Sequence, residues 1–143
     1  DSVFQKKSGH VTYAPTCFLW VRAEVFDKIG LMDEKYFAYY DDTDFALRAI
    51  RSGYTIWYES NLVLFHKVSS SSGGDYSPFY IYFSNRNKIY YIKKNYSGLY
   101  KYYLLLYTLL SRCFYLFKYN KLGREKMIKG IKDGFLMSLK KLD

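Results

Sequence analysis

Cysteine is scarce, with two in 143 residues. Cys17 and Cys113 stand far apart, each in apolar company, and neither belongs to a metal-binding or redox pair. That excludes a disulfide scaffold and a cysteine-based metal site, and it predicts free, buried thiols in a reducing, cytoplasmic setting. Long apolar runs are missing too. The most apolar stretch of the tail, Tyr102 to Leu110, is bounded by Lys101 and Arg112, well short of the roughly 20 apolar residues that a spanning helix needs. No succession of basic, apolar and small residues opens the chain, so no leader is read there; the first residue is not methionine, and the sequence is read as a piece of a longer protein. Acidic residues are few in the second half. From Lys67 to Asp143 there are 4 Asp and Glu against 15 Lys and Arg, a net +11, and the preceding residues, at −2, bring the whole chain to +9.

What is abundant is apolar and aromatic. Half of the residues are hydrophobic and 22% are aromatic, with 18 tyrosines, so the chain can build a core and still carry a basic surface. The basic residues of the second half follow helix faces beside apolar stripes and form no recognition-motif pattern, so nucleic acid is not an expected partner.

The stretch Tyr36 to Arg48, YFAYYDDTDFALR, sets three carboxylates, Asp41, Asp42 and Asp44, straight after an aromatic run and at the start of a predicted helix. Asp41 or Asp42 can cap that helix, Asp44 falls in its first turn, and Arg48 lies within ion-pair reach of Asp44. Three acids exceed what capping requires, and neighbouring helix positions point about 100° apart, so Asp41 and Asp42 cannot share one role. The one left over is either part of a solvated face or free for chemistry.

Around this stretch, Cys17 to Arg22 is apolar and rich in strand formers, and Arg22 to Ile29 followed by Gly30 predicts a short helix with a terminating glycine. Asp1 to His10 reads as a loop or frayed end. Phe45, Ala49 and Ile50 give the acidic helix an apolar stripe ending at Ser52-Gly53. Tyr54 to Glu59 and Leu62 to His66 read as two strands. Residues 67–75, KVSSSSGGD, read as a polar linker, and Ser77-Pro78 opens a helix running to about Asn95, with a stripe of Phe79, Tyr82, Phe83, Arg86 and Tyr90. Trp20 could line a pocket or belong to the core. Met127 to Leu142 alternates basic and apolar residues at helical spacing, which suits an amphipathic helix on an anionic membrane surface or packed on another part of a longer protein.

The segment GLMDEKYFAYYDDTDFALRAIRSGY, Gly30 to Tyr54, resembles the signature of inverting glycosyltransferases of family 2, rhamnosyltransferase-like members included. In these an aromatic run leads into an acid-Asp pair, then x-Asp, an apolar residue or two, and Arg. The likeness extends over about Thr12 to Asn95. It implies an α/β fold: the C-terminal half of a GT-A, Rossmann-like domain over 1–95, followed by a basic amphipathic helical tail over 96–143. It implies Asp42 as catalytic base, and Asp41, standing where Glu is commoner, as an acceptor contact together with Arg86 and Trp20. It implies His66 as a ligand of a divalent cation, Mg²⁺ or Mn²⁺, held mostly by an absent N-terminal half. The partners implied are a nucleotide-sugar donor and a glycan or lipid-linked acceptor, as in cell-surface polysaccharide synthesis, with the protein peripheral on the cytoplasmic face of the membrane. The chain alone would be an inactive fragment. A non-catalytic membrane-surface interaction domain is the alternative.

Overall fold

A computed structural model of the chain describes residues 7–65 and 76–139. The chain forms two compact units, residues 1–37 with 41–67, and residues 38–40 with 68–143.

The first unit holds strand β1 (Gly9–Val11), helix α1 (Ala23–Ile29), a single 3-10 turn (Glu34–Tyr36), helix α2 (Asp41–Arg51) and strand β2 (Ile56–Tyr58). Helix α1 stops at Gly30, whose φ of 74° is a left-handed value that glycine adopts without strain. Helix α2 buries Asp44, Phe45, Ala46 and Ala49, while Ile50, expected on that stripe, is partly exposed. Phe26 of α1 meets Phe45 of α2 with ring centroids 5.4 Å apart. The hinge of this packing is polar. Arg48 donates from Nε to Asp44 Oδ2 at 2.9 Å, from Nη1 to the Ile29 carbonyl and from Nη2 to the Leu31 carbonyl at 3.0 Å. One guanidinium therefore satisfies carbonyls at the end of α1 while pairing with an acid of α2. The Tyr36 hydroxyl donates to the other Asp44 oxygen at 3.1 Å.

The second unit holds helices α3 (Pro78–Asn95), α4 (Gly98–Lys118) and α5 (Lys121–Leu136). Ser77 caps α3, its hydroxyl accepting from the Tyr80 N–H at 3.1 Å, with Pro78 behind it as the sequence predicts. The stripe that α3 buries shares only Tyr90 with the expected one. Ile81, Asn85, Asn87, Ile89, Tyr90 and Ile92 are inside, because α3 is flanked on more than one side. Helix α5 presses on it through glycines. A Cβ built on Gly130 would lie 2.5 Å from the Tyr82 carbonyl oxygen, and one on Gly134 would lie 2.5 Å from that of Arg86. The Lys93 ammonium donates to the carbonyls of Gly134 at 3.2 Å and Met137 at 2.9 Å, closing the C-terminal end of α5. Replacing Gly134 by Ala adds about 1 kcal/mol of helix propensity. Overpacking against backbone costs typically about 1–3 kcal/mol and outweighs it. A net loss of about 1 kcal/mol and a lower melting temperature are expected, readable by thermal unfolding.

The α/β, Rossmann-like expectation is overturned: among the described residues there are five α-helices and one two-stranded sheet. The β-prone residues 17–22 and 62–65 form no strand, and of residues 54–59 only Ile56–Tyr58 do. Their antiparallel partner is Gly9–Val11, whose first two residues lie in the stretch read from sequence as a loop or frayed end, with His10 opposite Trp57. A strand exists only where another edge takes its N–H and C=O groups, and propensity does not supply that edge. The buried thiols are corrected as well, since both cysteines are exposed. Cys113 sits on the outward side of α4, and Cys17 lies in a segment with no regular structure.

Candidate functional site

The first turn of α2 forms one wall of an open groove of about 370 Å³ in the first unit. Its lining includes Trp20, Arg22, Asp42, Phe45, Tyr54 and Trp57. Ile56 and Trp57, consecutive residues of β2, both border it. His10, the cross-strand partner of Trp57, meets the indole edge-on at 5.0 Å. Trp20 lies in the extended stretch leading to α1, 87% exposed, with Phe18 edge-on at 6.5 Å. Of the two places the sequence leaves open for Trp20, pocket or core, its exposure excludes the core, and it lines the groove. Trp57 is 56% exposed. These are the only tryptophans of the chain, and both border the groove that holds Asp42.

The Asp42 carboxylate is held on both oxygens. Oδ1 accepts from the Thr43 N–H at 2.7 Å and the Thr43 hydroxyl at 3.2 Å. Oδ2 accepts from the Tyr13 hydroxyl. Two donors fill Oδ1, whereas among the described residues Oδ2 takes one, and a carboxylate oxygen accepts two. A further donor entering the groove thus has a lone pair to meet. Burial pushes the Tyr13 phenol well above its ordinary value, and the hydrogen bond to Asp42 and the charges of Asp42 and Asp41 push it the same way. Tyr13 stays protonated and remains a donor. Asp41, partly exposed, opens α2 one residue earlier.

Asp44 differs completely from its neighbours. It is 0% exposed, and its oxygens are taken by Tyr36 and Arg48. It is a structural acid.

Arg86 belongs to the second unit, on α3. Its Nε donates to Asn87 Oδ1 at 2.8 Å, and its guanidinium lies over the Phe83 ring at 4.6 Å. The neighbouring Asn87, fully buried, donates to the Ala38 carbonyl at 2.5 Å and the Tyr39 carbonyl at 2.9 Å. Tyr39 and Tyr40 have φ of 64° and 72°, strained values for aromatic residues. Their rings are held against α3, Tyr39 near Tyr80 at 5.2 Å and Tyr40 near Tyr91 at 5.5 Å. The aromatic run before the acids is thereby fixed in an unusual backbone by Asn87 and the α3 rings.

His66 and the linker expected over 67–75 lie outside the described residues. Among the described residues no group of three or more His, Cys, Asp or Glu side chains is placed to hold a metal ion. Tyr13 and Trp57 were missed by sequence reasoning. Tyr13 had no local signal, since it meets Asp42 across 29 positions.

Comparison with known proteins gave no matching family model, no similar curated protein and no similar solved structure.

Proposed function

We propose that the groove of the first unit takes a sugar-bearing acceptor and that Asp42 accepts the proton of its attacking hydroxyl, in transfer from a nucleotide-sugar with inversion. The observation that carries this reading is the place of Asp42: a fixed carboxylate with an accepting position left on Oδ2, on the wall of a groove bordered by two exposed indoles. Indole rings offer flat apolar area to the C–H faces of a sugar ring, while Arg22 and the carboxylate meet its hydroxyls. The resemblance of Gly30 to Tyr54 to family 2 glycosyltransferases supplies the reaction class.

In the transfer, an acceptor hydroxyl donates to Oδ2 of Asp42. As its oxygen attacks the anomeric carbon from the face opposite the diphosphate, the proton passes to the carboxylate and the bond to the diphosphate breaks. Thr43 and Tyr13 hold the carboxylate in line, so its orientation is set before the substrate arrives. A divalent cation would assist the leaving diphosphate. Its ligands, like the donor site, are assigned outside the described residues, and none of these steps depends on them. The acceptor is a glycan or lipid-linked sugar, met at the cytoplasmic face of a membrane.

Tyr13→Phe removes a donor to a charged group, for which roughly 1.5–3 kcal/mol is typical in buried settings and less here. A fall of kcat by roughly tenfold at little cost in melting temperature is expected. The groove itself is tested by titrating the chain with neutral mono- and oligosaccharides and following tryptophan emission. A saturable change lost in Trp57→Phe is the expected result. No change with any saccharide, alongside an intact fold by circular dichroism, would remove the acceptor groove.

A further inference from the structure

Helix α4 is apolar on both of its sides. Its outward stripe is Leu99, Tyr103, Leu106, Leu110, Phe114 and Phe117, spaced by threes and fours and all well exposed, up to 88% at both ends. Its inward side is mixed, with Leu104, Leu105, Tyr115 and Leu116 partly covered beside polar groups. Thr108 is the buried residue of the helix, and the mid-helix charge, Arg112, turns in to donate from Nε to Asn85 Oδ1 at 2.6 Å. In water a helix ordinarily shows a polar face, and α4 shows an apolar one. An exposed contiguous apolar patch of this kind marks a docking surface.

We infer that α4 lies in the plane of an anionic lipid surface, its Leu, Phe and Tyr stripe sunk to the boundary between headgroups and acyl chains. Three observations choose this occupant over a second copy of the chain or an apolar protein partner. No Asp or Glu occurs anywhere from Tyr76 to Arg124, while Lys101 lies near one end of the stripe and Lys118 and Lys121 near the other, so the surroundings of the helix are cationic and complement anionic headgroups. Two copies would bring like charges together. The positions flanking the stripe are Tyr102, Tyr107, Leu109 and Cys113, not the Glu and Lys that select a partner helix in a coiled coil. Tyrosine, with an apolar ring and a polar tip, suits the interface, and lysine stems can lie along apolar surface while their ammonium groups stay among headgroups. No helix among the described residues is long and apolar enough to cross a membrane, which leaves the in-plane arrangement.

This assignment moves the membrane face from Met127–Leu142, where sequence periodicity put it, to α4. The glycine face of α5 is spent on α3, and Lys93 is spent on the end of α5. The inference stands apart from the sugar-transfer reading, since it concerns the second unit alone and its test needs no activity.

The test is cosedimentation of the full chain with vesicles of phosphatidylcholine containing phosphatidylglycerol, and with phosphatidylcholine alone, at low and high salt. Binding to the anionic vesicles, weakened by salt, is expected. Leu106→Gln/Leu110→Gln/Phe114→Gln keeps the charge and alters only outward positions, and it should weaken binding roughly tenfold or more, since buried apolar area drives insertion. A second readout uses Tyr107→Trp in a Trp20→Phe/Trp57→Phe background, whose emission should shift to the blue on anionic vesicles. Unaltered vesicle binding by the triple variant, or an unshifted emission from the indole introduced by Tyr107→Trp, overturns the inference. So does a concentration-dependent dimer, seen in sedimentation velocity and abolished in the triple variant, that accompanies absence of vesicle binding.

Discussion

Asp42→Asn, introduced into the full-length protein, is expected to lower kcat for sugar transfer by roughly 10²-fold or more, the scale of a positioned general base. The substitution is almost isosteric. Its carboxamide can still accept from Thr43 through its oxygen, but the position that replaces Oδ2 carries N–H groups. These can neither receive the acceptor's proton nor accept from Tyr13. Both effects fall on the reacting step. Donor affinity should change little, because nothing in the groove has been assigned to the donor, so kcat falls while the donor KM holds. Steady-state kinetics with the donor and acceptor varied separately read the two apart.

Asp44→Asn is expected to act on stability instead. Asp44 and Arg48 lie 2.9 Å apart with side-chain exposures of 0% and 11%, so this is a buried pair rather than the exposed helix pair that an i, i+4 spacing suggests. Breaking such a pair by removing one charge costs typically about 3–5 kcal/mol, because the other is left buried without its counterion. Arg48 keeps its bonds to the carbonyls of Ile29 and Leu31, and the amide can still accept from Tyr36 or Arg48. The lower end, about 3 kcal/mol, is therefore expected. That corresponds to a melting temperature lower by on the order of 10 °C, measurable by circular dichroism. A drop of only a degree or two would mean that the guanidinium is satisfied by carbonyls alone.

Local chemistry was legible in the sequence where the decisive partners are near in the chain. The end of α1 at Gly30, the cap of α3 by Ser77 with Pro78, and the pairing of Asp44 with Arg48 all depend on neighbours within a few positions, and all are found. Features that depend on distant partners were not legible. Whether residues 17–22 or 62–65 form strands depends on an edge to pair with. Which stripe α3 buries depends on α5 pressing its glycines against Tyr82 and Arg86. The outward apolar face of α4 was not legible, because Tyr102 to Leu110 is apolar or aromatic throughout except at Thr108 and so has no period that marks one face. At the site, the acids and Trp20 could be named from the sequence, but the place of Trp57 on the groove and the bond from Tyr13 to Asp42 depend on the fold of the first unit. The likeness of Gly30 to Tyr54 to family 2 glycosyltransferases named a reaction, and the Rossmann-like architecture that came with it does not describe these residues.

The division of labour between two acids separated by a single residue tests the account most directly. In the full-length protein, kcat and melting temperature measured side by side for Asp42→Asn and Asp44→Asn should cross over. The first variant should lose roughly 10²-fold or more in kcat and keep its melting temperature. The second should melt on the order of 10 °C lower and keep most of its turnover at a temperature where it is folded. Near-normal turnover in Asp42→Asn would contradict the account, for the groove would then have no base.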